Sequence, residues 1–218
     1  MTAIVRYDPA AFTALCAHVR TILRRGGIVA IPTETYYGLG VDPFNSAALS
    51  RLAKIKGRAD HKPILLLIGA AEQLCHLADS IPPAASALME AFWPGPLTIV
   101  FPARADLHAR ITAGTGTVGV RWTSLTALAD ILRVVGPMTG TSANRSGESA
   151  ARTAREVQQT LGDEIDLIID AGSMPGGLPS TVIQVEGQTQ IVREGTISRA
   201  RIRDALCERG FSLSEGQM

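Results

Sequence analysis

What this sequence lacks narrows the reading first. Of 218 residues only three are cysteines, Cys16, Cys75 and Cys207, an odd number without CxxC spacing. That argues against a disulfide framework or a cysteine zinc site and fits a reducing, cytoplasmic setting. The formal charge is only +1, so the strongly basic footprint of a dedicated nucleic-acid binder is missing, local patches aside. Aromatic residues make up 5%, too sparse for a base-stacking platform, and Phe92 and Trp93 ahead of "PGP" read as core anchors. No charged-then-apolar leader opens the chain. The longest apolar run, "PILLLIGAA", is under half of the roughly 20 residues a membrane helix needs, so no membrane span is expected. There is no GxxxxGK[ST] phosphate loop, no GxGxxG between a strand and a helix, and no GxSxG elbow. The histidines, His18, His61, His76 and His108, have no metal-ligand spacing and read as structural or solvated.

What is present is a chain with 46% hydrophobic residues, enough to bury the core of one domain over residues 1–218. "DPAAFTALCAHVRTILRRGG" predicts a helix with Asp8 as its cap, Pro9 in the first turn and Phe12, Leu15, Val19, Ile22 and Leu23 on one face. It feeds a β-branched strand, "IVAI", which Pro32 stops. Asn45 or Ser46 caps a second helix, and Gly57 suits its left-handed end. "KPILLLI", "LTIVF", "VGVR", "PMTG", "DLIID", "TVIQV" and "TQIVR" read as strands, the last two forming a hairpin through "EGQ". Helical stretches are expected near 70–78 and 84–92. "SLTALADILRVVG" reads as a capped helix, Thr153 and Glu156 as a capping box, and "SRARIRDALCERG" as an amphipathic closing helix. Strands alternate with helices but a hairpin is mixed in, so the fold class expected is α/β of the α+β type, a twisted mixed sheet layered by helices.

Several loops repeat one chemistry. "RLAKIKGRADHK" carries Arg51, Lys54, Lys56, Arg58 and Lys62 against Asp60 alone; it is either an anion site or a solvated helix end complementing the macrodipole. "TSANRSG" spaces Thr141, Ser142, Asn144 and Ser146 by small residues, which suits close approach to phosphate or an ordinary polar turn. Arg121 ends "VGVR" behind Thr115 and Thr117, Ser180 and Thr181 open "STVIQV", and Arg193 ends "TQIVR". Such arginines can clamp carboxylate or phosphate, or sit in surface ion pairs. "PTETYYGLG" adds Thr33, Thr35 and one carboxylate, Glu34, a group able to orient N–H donors or bind a metal. A site for a highly anionic ligand would be assembled from separate strand ends.

In this order, "PTETYYGLG", "KIKGRADHKP", "WPGPLT", "VGVR", "TSANRSG", "STV" and "IVREG" resemble the YrdC-like family of threonylcarbamoyl-AMP synthases over nearly the whole chain. The resemblance implies a cationic cavity on one side of the sheet. It also implies the joining of L-threonine, bicarbonate and ATP, with Mg²⁺ accompanying the nucleotide, into threonylcarbamoyl-AMP and pyrophosphate. The product would serve a downstream tRNA threonylcarbamoyl transferase that makes threonylcarbamoyladenosine. By matching position, Lys56, Arg58, Ser142 and Asn144 are the Lys-x-Arg and Ser-x-Asn sets around the phosphates, and Lys62, Thr117 and Arg193 are further ATP contacts. Thr33, Thr35, Arg121 and Thr181 fall on the threonine side, with Glu34 beside them.

The sequence departs from the family pattern at four points. Leu67 stands where longer members often carry a histidine, "RWTS" replaces Arg-x-Pro, and Ala59 replaces a proline. The chain also ends soon after its last helix, so another loop or a partner is expected to shield the intermediate in place of a C-terminal domain. Two competing readings use the same fold: an RNA- or ribosome-associated factor contacting double-stranded RNA or tRNA phosphates, and a paralogue with another nucleotide-dependent activity. A hydrogenase-maturation module would bring acylphosphatase and zinc-binding segments that this sequence lacks.

Overall fold

The structure is a computed structural model that describes residues 2–57 and 62–214. Its strands are β1 (Ala3–Arg6), β2 (Val29–Ile31), β3 (Gly38–Gly40), β4 (Leu66–Ile68), β5 (Leu97–Pro102), β6 (Thr117–Trp122), β7 (Met138–Thr139), β8 (Thr141–Ser142), β9 (Leu167–Asp170), β10 (Thr181–Gln184) and β11 (Gln190–Arg193). The helices are α1 (Phe12–Arg24), α2 (Ser46–Lys56), α3 (Pro83–Phe92), α4 (Ala109–Thr112), α5 (Thr126–Val135), α6 (Ala154–Leu161) and α7 (Arg199–Cys207). Parallel and antiparallel pairs are mixed as expected, but they are divided between two sheets. One has the order β1-β9-β2-β3-β8, the other β11-β10-β5-β6-β4-β7.

Local sequence explains most of these elements. Asp8 caps a short 3-10 turn at Pro9–Ala11 by accepting from the Ala10 N–H, and α1 follows from it. Asn45 Oδ1 accepts from the Ala48 N–H, and Gly57 closes α2 at φ 53°, a left-handed position that glycine occupies without steric cost. Thr153 caps α6 while Glu156 reaches back to the Arg152 N–H, one residue before the cap. Helix α5 differs from expectation: its N-cap is Leu125, with no side-chain cap. Instead the Thr123 hydroxyl accepts from the Leu125 N–H at 3.2 Å. The stretch near 70–78 is a 3-10 helix, Ala71–His76.

Strand alternation sends neighbouring residues into different cores. Val29, Ile31, Leu67, Leu167 and Ile169 pack with Leu15, Val19 and Ile22 of α1 and with Leu128, Ile131 and Leu132 of α5. The residues one step out of phase, Ile28, Ala30, Leu66, Ile68 and Ile168, join the larger core. The six-stranded sheet obeys the same period of two. Leu97, Ile99, Phe101, Val118, Val120 and Ile183 face the larger core, which leaves Thr98, Val100, Thr117, Gly119, Arg121 and Val182 on the opposite face.

Candidate functional site

That opposite face floors a cavity of about 460 Å³. Its other wall is built by the loop carrying Thr33, Thr35, Tyr36 and Tyr37, by Gly38 of β3, and by Gly140, Thr141 and Ser142, with Pro63, Ile64 and Leu65 alongside. Pro179, Ser180, Val192 and Arg193 complete the rim. The volume lies in the range of small-molecule sites.

Two arginines meet there. Arg121 is only 5% exposed, and burial pulls its pKa below the usual arginine value while the Glu34 carboxylate pulls the other way. Arg121 Nη1 lies 3.3 Å from Glu34 Oε1. Glu34 Oε2 in turn accepts from the Thr123 hydroxyl at 3.0 Å. Among the described residues neither Arg121 Nε nor Glu34 Oε1 has a hydrogen-bond partner. A buried donor left in that state costs free energy. Arg193 donates to the Ser180 carbonyl at 2.9 Å and lies 3.3 Å from the Ser180 hydroxyl. Its pKa is lowered, by burial first and then by the positive charge of Arg121. Two cations that repel across a cleft favour an anion between them.

Hydroxyls surround this pair. Ser180 Oγ and Thr98 Oγ1 are 2.8 Å apart, as are Thr115 Oγ1 and Thr117 Oγ1. The Thr33 hydroxyl holds its own loop by donating to the Tyr36 carbonyl at 2.6 Å and accepting from the Thr35 and Tyr36 N–H groups. The Tyr37 hydroxyl donates to the Gly172 carbonyl at 2.9 Å and accepts from the Ala171 N–H. Burial, first of all, pushes its pKa up to about 12.

Of the residues singled out in the sequence, Thr33, Thr35, Thr117, Arg121, Ser142 and Arg193 line the cavity together. Lys56 and Asn144 stand behind Ser142: the buried Lys56 ammonium donates to the Ser142 carbonyl at 2.7 Å, the Asn144 carbonyl at 2.6 Å and Asn144 Oδ1 at 2.8 Å. Lys62 is exposed, next to the cavity residue Pro63. Arg58 lies outside the described residues. Thr181 faces away from the cavity, for it is one residue out of phase with Ser180 and Val182 along the strand. It is fully buried. Its hydroxyl donates to the Ile197 carbonyl at 2.6 Å and accepts from the Gly195 and Ile197 N–H groups, both at 3.0 Å. Gly195 is needed for that approach, because a Cβ there would lie 2.2 Å from the Pro179 carbonyl oxygen. Thr181 therefore folds the 195–197 turn.

Two departures from the family pattern acquire a physical meaning. Leu67 is buried against α1 and α5 and is the register partner of Arg121, while Leu65 is the neighbouring residue that lines the cavity. Thr123, where Arg-x-Pro would put proline, supplies the hydroxyl that steadies Glu34. Arg51, one of the clustered cations, is engaged elsewhere, with Asp166 at 2.7 Å and the Glu164 carbonyl at 2.8 Å. Thr98 was missed by sequence reasoning, although a polar residue between Leu97 and Ile99 signals a second, wet face.

Comparison with known proteins supplies the context. The family model described as telomere recombination, Sua5/YciO/YrdC, matches residues 21–195. A Thiobacillus denitrificans protein named threonylcarbamoyl-AMP synthase is 39% identical over 164 residues, 75% of this chain and 87% of its own. The P. abyssi Sua5 structure complexed with L-threonine superposes with a TM-score of 0.87 at 32% identity, covering 98% of this chain but 62% of that one. E. coli YciO superposes with a TM-score of 0.79 at 26% identity, covering 93% of this chain and 98% of its own. The match over most of its length and the shared architecture establish that the chain belongs to the Sua5/YciO/YrdC family.

Proposed function

We propose that this chain is a nucleotidyltransferase, a threonylcarbamoyl-AMP synthase acting on L-threonine, bicarbonate and ATP for tRNA modification. The observation that carries the reading is Arg121, a buried guanidinium with an orphaned Nε lining a cavity shared with a second arginine. A carboxylate placed against that guanidinium would offset the burial cost of its charge. The relatives named for this activity, and the L-threonine in the P. abyssi complex, support the same ligand.

The chemistry asks little covalent work of the protein. The threonine amine adds carbon dioxide with loss of a proton, or condenses with bicarbonate with loss of water, to give a carbamate; a carbamate oxygen then attacks the α-phosphorus, and the α–β phosphoanhydride bond breaks to release pyrophosphate. What the reaction requires is in-line placement and positive charge on the phosphoryl oxygens. In this reading Arg121 and Thr35 hold the amino acid with Thr33 shaping their loop, while Arg193, Thr117 and the Ser142–Asn144 turn border the nucleotide. Lys62 and Arg58 add charge from the segment after α2. Among the described residues no group of three histidine, cysteine, aspartate or glutamate side chains could hold a metal ion. Mg²⁺ would enter with the triphosphate and would supply positive charge to the phosphate oxygens.

Incubation of the protein with ATP, L-threonine and labelled bicarbonate tests the proposal. Pyrophosphate and a labelled adenylate are expected only when all three are present. Release that ignores threonine would overturn it.

A further inference from the structure

The Lys56 contacts carry an assignment that neither the family membership nor the proposed reaction contains. An ammonium has three N–H donors and no acceptor. At Lys56, among the described residues, these face three protein oxygens at 2.6 to 2.8 Å, all on the Ser142–Asn144 turn, with the Ser142 hydroxyl oxygen a longer 3.4 Å away and accepting. The side chain is buried, 6% exposed, in the last turn of α2. To touch a phosphate directly, it would have to give up acceptors already at optimal distance.

The same contacts fix a chain of hydrogen-bond directions. Because the ammonium can only donate, the Asn144 atom facing it is Oδ1. The amide nitrogen, Nδ2, correspondingly donates to the Glu148 carbonyl at 2.5 Å. Ser142 Oγ lies 2.6 Å from that Oδ1. An amide oxygen carries no hydrogen, so the Ser142 hydroxyl donates its proton to Asn144, away from the cavity that Ser142 lines. Lone pairs are what the hydroxyl presents to a ligand. Such a group accepts from an N–H or O–H donor and repels a bare phosphate oxygen.

We propose that Lys56 is a positioning residue that acts on the ligand through Asn144 and Ser142, and that it holds Ser142 as a hydrogen-bond acceptor towards the cavity. The kinetic half of this assignment rests on the synthase reading; the spectroscopic half does not.

The test joins two measurements on the full chain. In ¹⁵N-lysine-labelled protein, the Lys56 ammonium signal, identified by its loss in Lys56→Met, should be protected from exchange. It should keep its shift when a non-hydrolysable ATP analogue and threonine are added, and lose protection in Asn144→Ala. A large shift on adding the nucleotide analogue alone would mean direct phosphate contact and overturn the proposal. In steady-state kinetics Lys56→Met, Asn144→Ala and Ser142→Ala should each lower kcat, on the order of 10- to 100-fold for one charge-assisted contact. The double variants should be no worse than the poorer single, as expected for residues acting in one chain. Multiplicative losses would overturn it. If Lys56→Met fails to fold, Asn144→Ala paired with Ser142→Ala decides the cycle and Asn144→Ala alone the signal. A wild-type protein without synthase activity would refute the proposed reaction and leave the ammonium measurement to decide the role of Lys56.

Discussion

Replacing Glu34 with glutamine tests the electrostatics of the cavity most directly. Glutamine keeps the size of the side chain and an oxygen able to accept from Thr123, but it removes the carboxylate that pairs with Arg121 among the described residues. The partners are 6% and 15% exposed and 3.3 Å apart. At an effective dielectric of about 20 the attraction between unit charges at that separation is about 5 kcal/mol. Breaking a buried pair by neutralising one partner generally costs about 3–5 kcal/mol, since the other charge stays buried without compensation. The unfolding free energy of Glu34→Gln, measured by urea denaturation at neutral pH, should therefore fall by about 3 kcal/mol or more. The companion variant Arg121→Met removes the stranded charge, so Glu34→Gln combined with Arg121→Met should be more stable than Glu34→Gln alone. Only proteins that retain Arg121 should be stabilised by millimolar L-threonine. A Glu34→Gln protein within about 1 kcal/mol of wild type, or a double variant showing the sum of the two single losses, would refute the view that Arg121 is held as a desolvated cation.

Other outcomes follow from the same geometry. Arg193→Ala removes the guanidinium at the Ser180 end of the cavity and should raise the KM for ATP on the order of 10-fold or more, with the threonine KM nearly unchanged; the reverse pattern would move Arg193 to the amino-acid side. Thr35→Val keeps shape but deletes a hydroxyl, so the threonine KM should rise by about 10-fold and the ATP KM should not. Tyr37 gives a pH dependence. Its folded pKa, about 12, lies above the ordinary 10.0, so the neutral phenol is favoured in the folded state. Its contribution is complete below about pH 10 and is lost as pH rises towards about 12. Urea titrations across that window should show stability falling with pH, and the Tyr37→Phe protein, weaker at neutral pH, should show a shallower fall.

The sequence made some of this architecture legible because the determining interactions are local. Asn45 and Gly57 bracket α2, Thr153 opens α6, and the β10–β11 hairpin appears where its turn residues suggest. Strand β1 had no such signal: four residues, mostly exposed, become a strand only by lying parallel to β9 from far along the chain. Strand β3 is hidden in "GLG", whose glycines argue against a strand until pairing with β2 and β8 is known. At the site, residue types were readable but directions were not. Ser180 and Thr181 look alike in sequence, yet a phase of one residue puts the first on the cavity and the second in the core. Lys56 reads as a charge at a helix end until the distant Ser142–Asn144 turn folds over it.

The cavity has its floor on one sheet and its wall on the other. A molecule seated there bonds to both layers at once and acts as a tie between them. Its affinity adds directly to the cohesion of the folded state: at a concentration 100 times the dissociation constant the gain is about 2.7 kcal/mol. Substrate supply would then govern how long the protein survives as well as how fast it works.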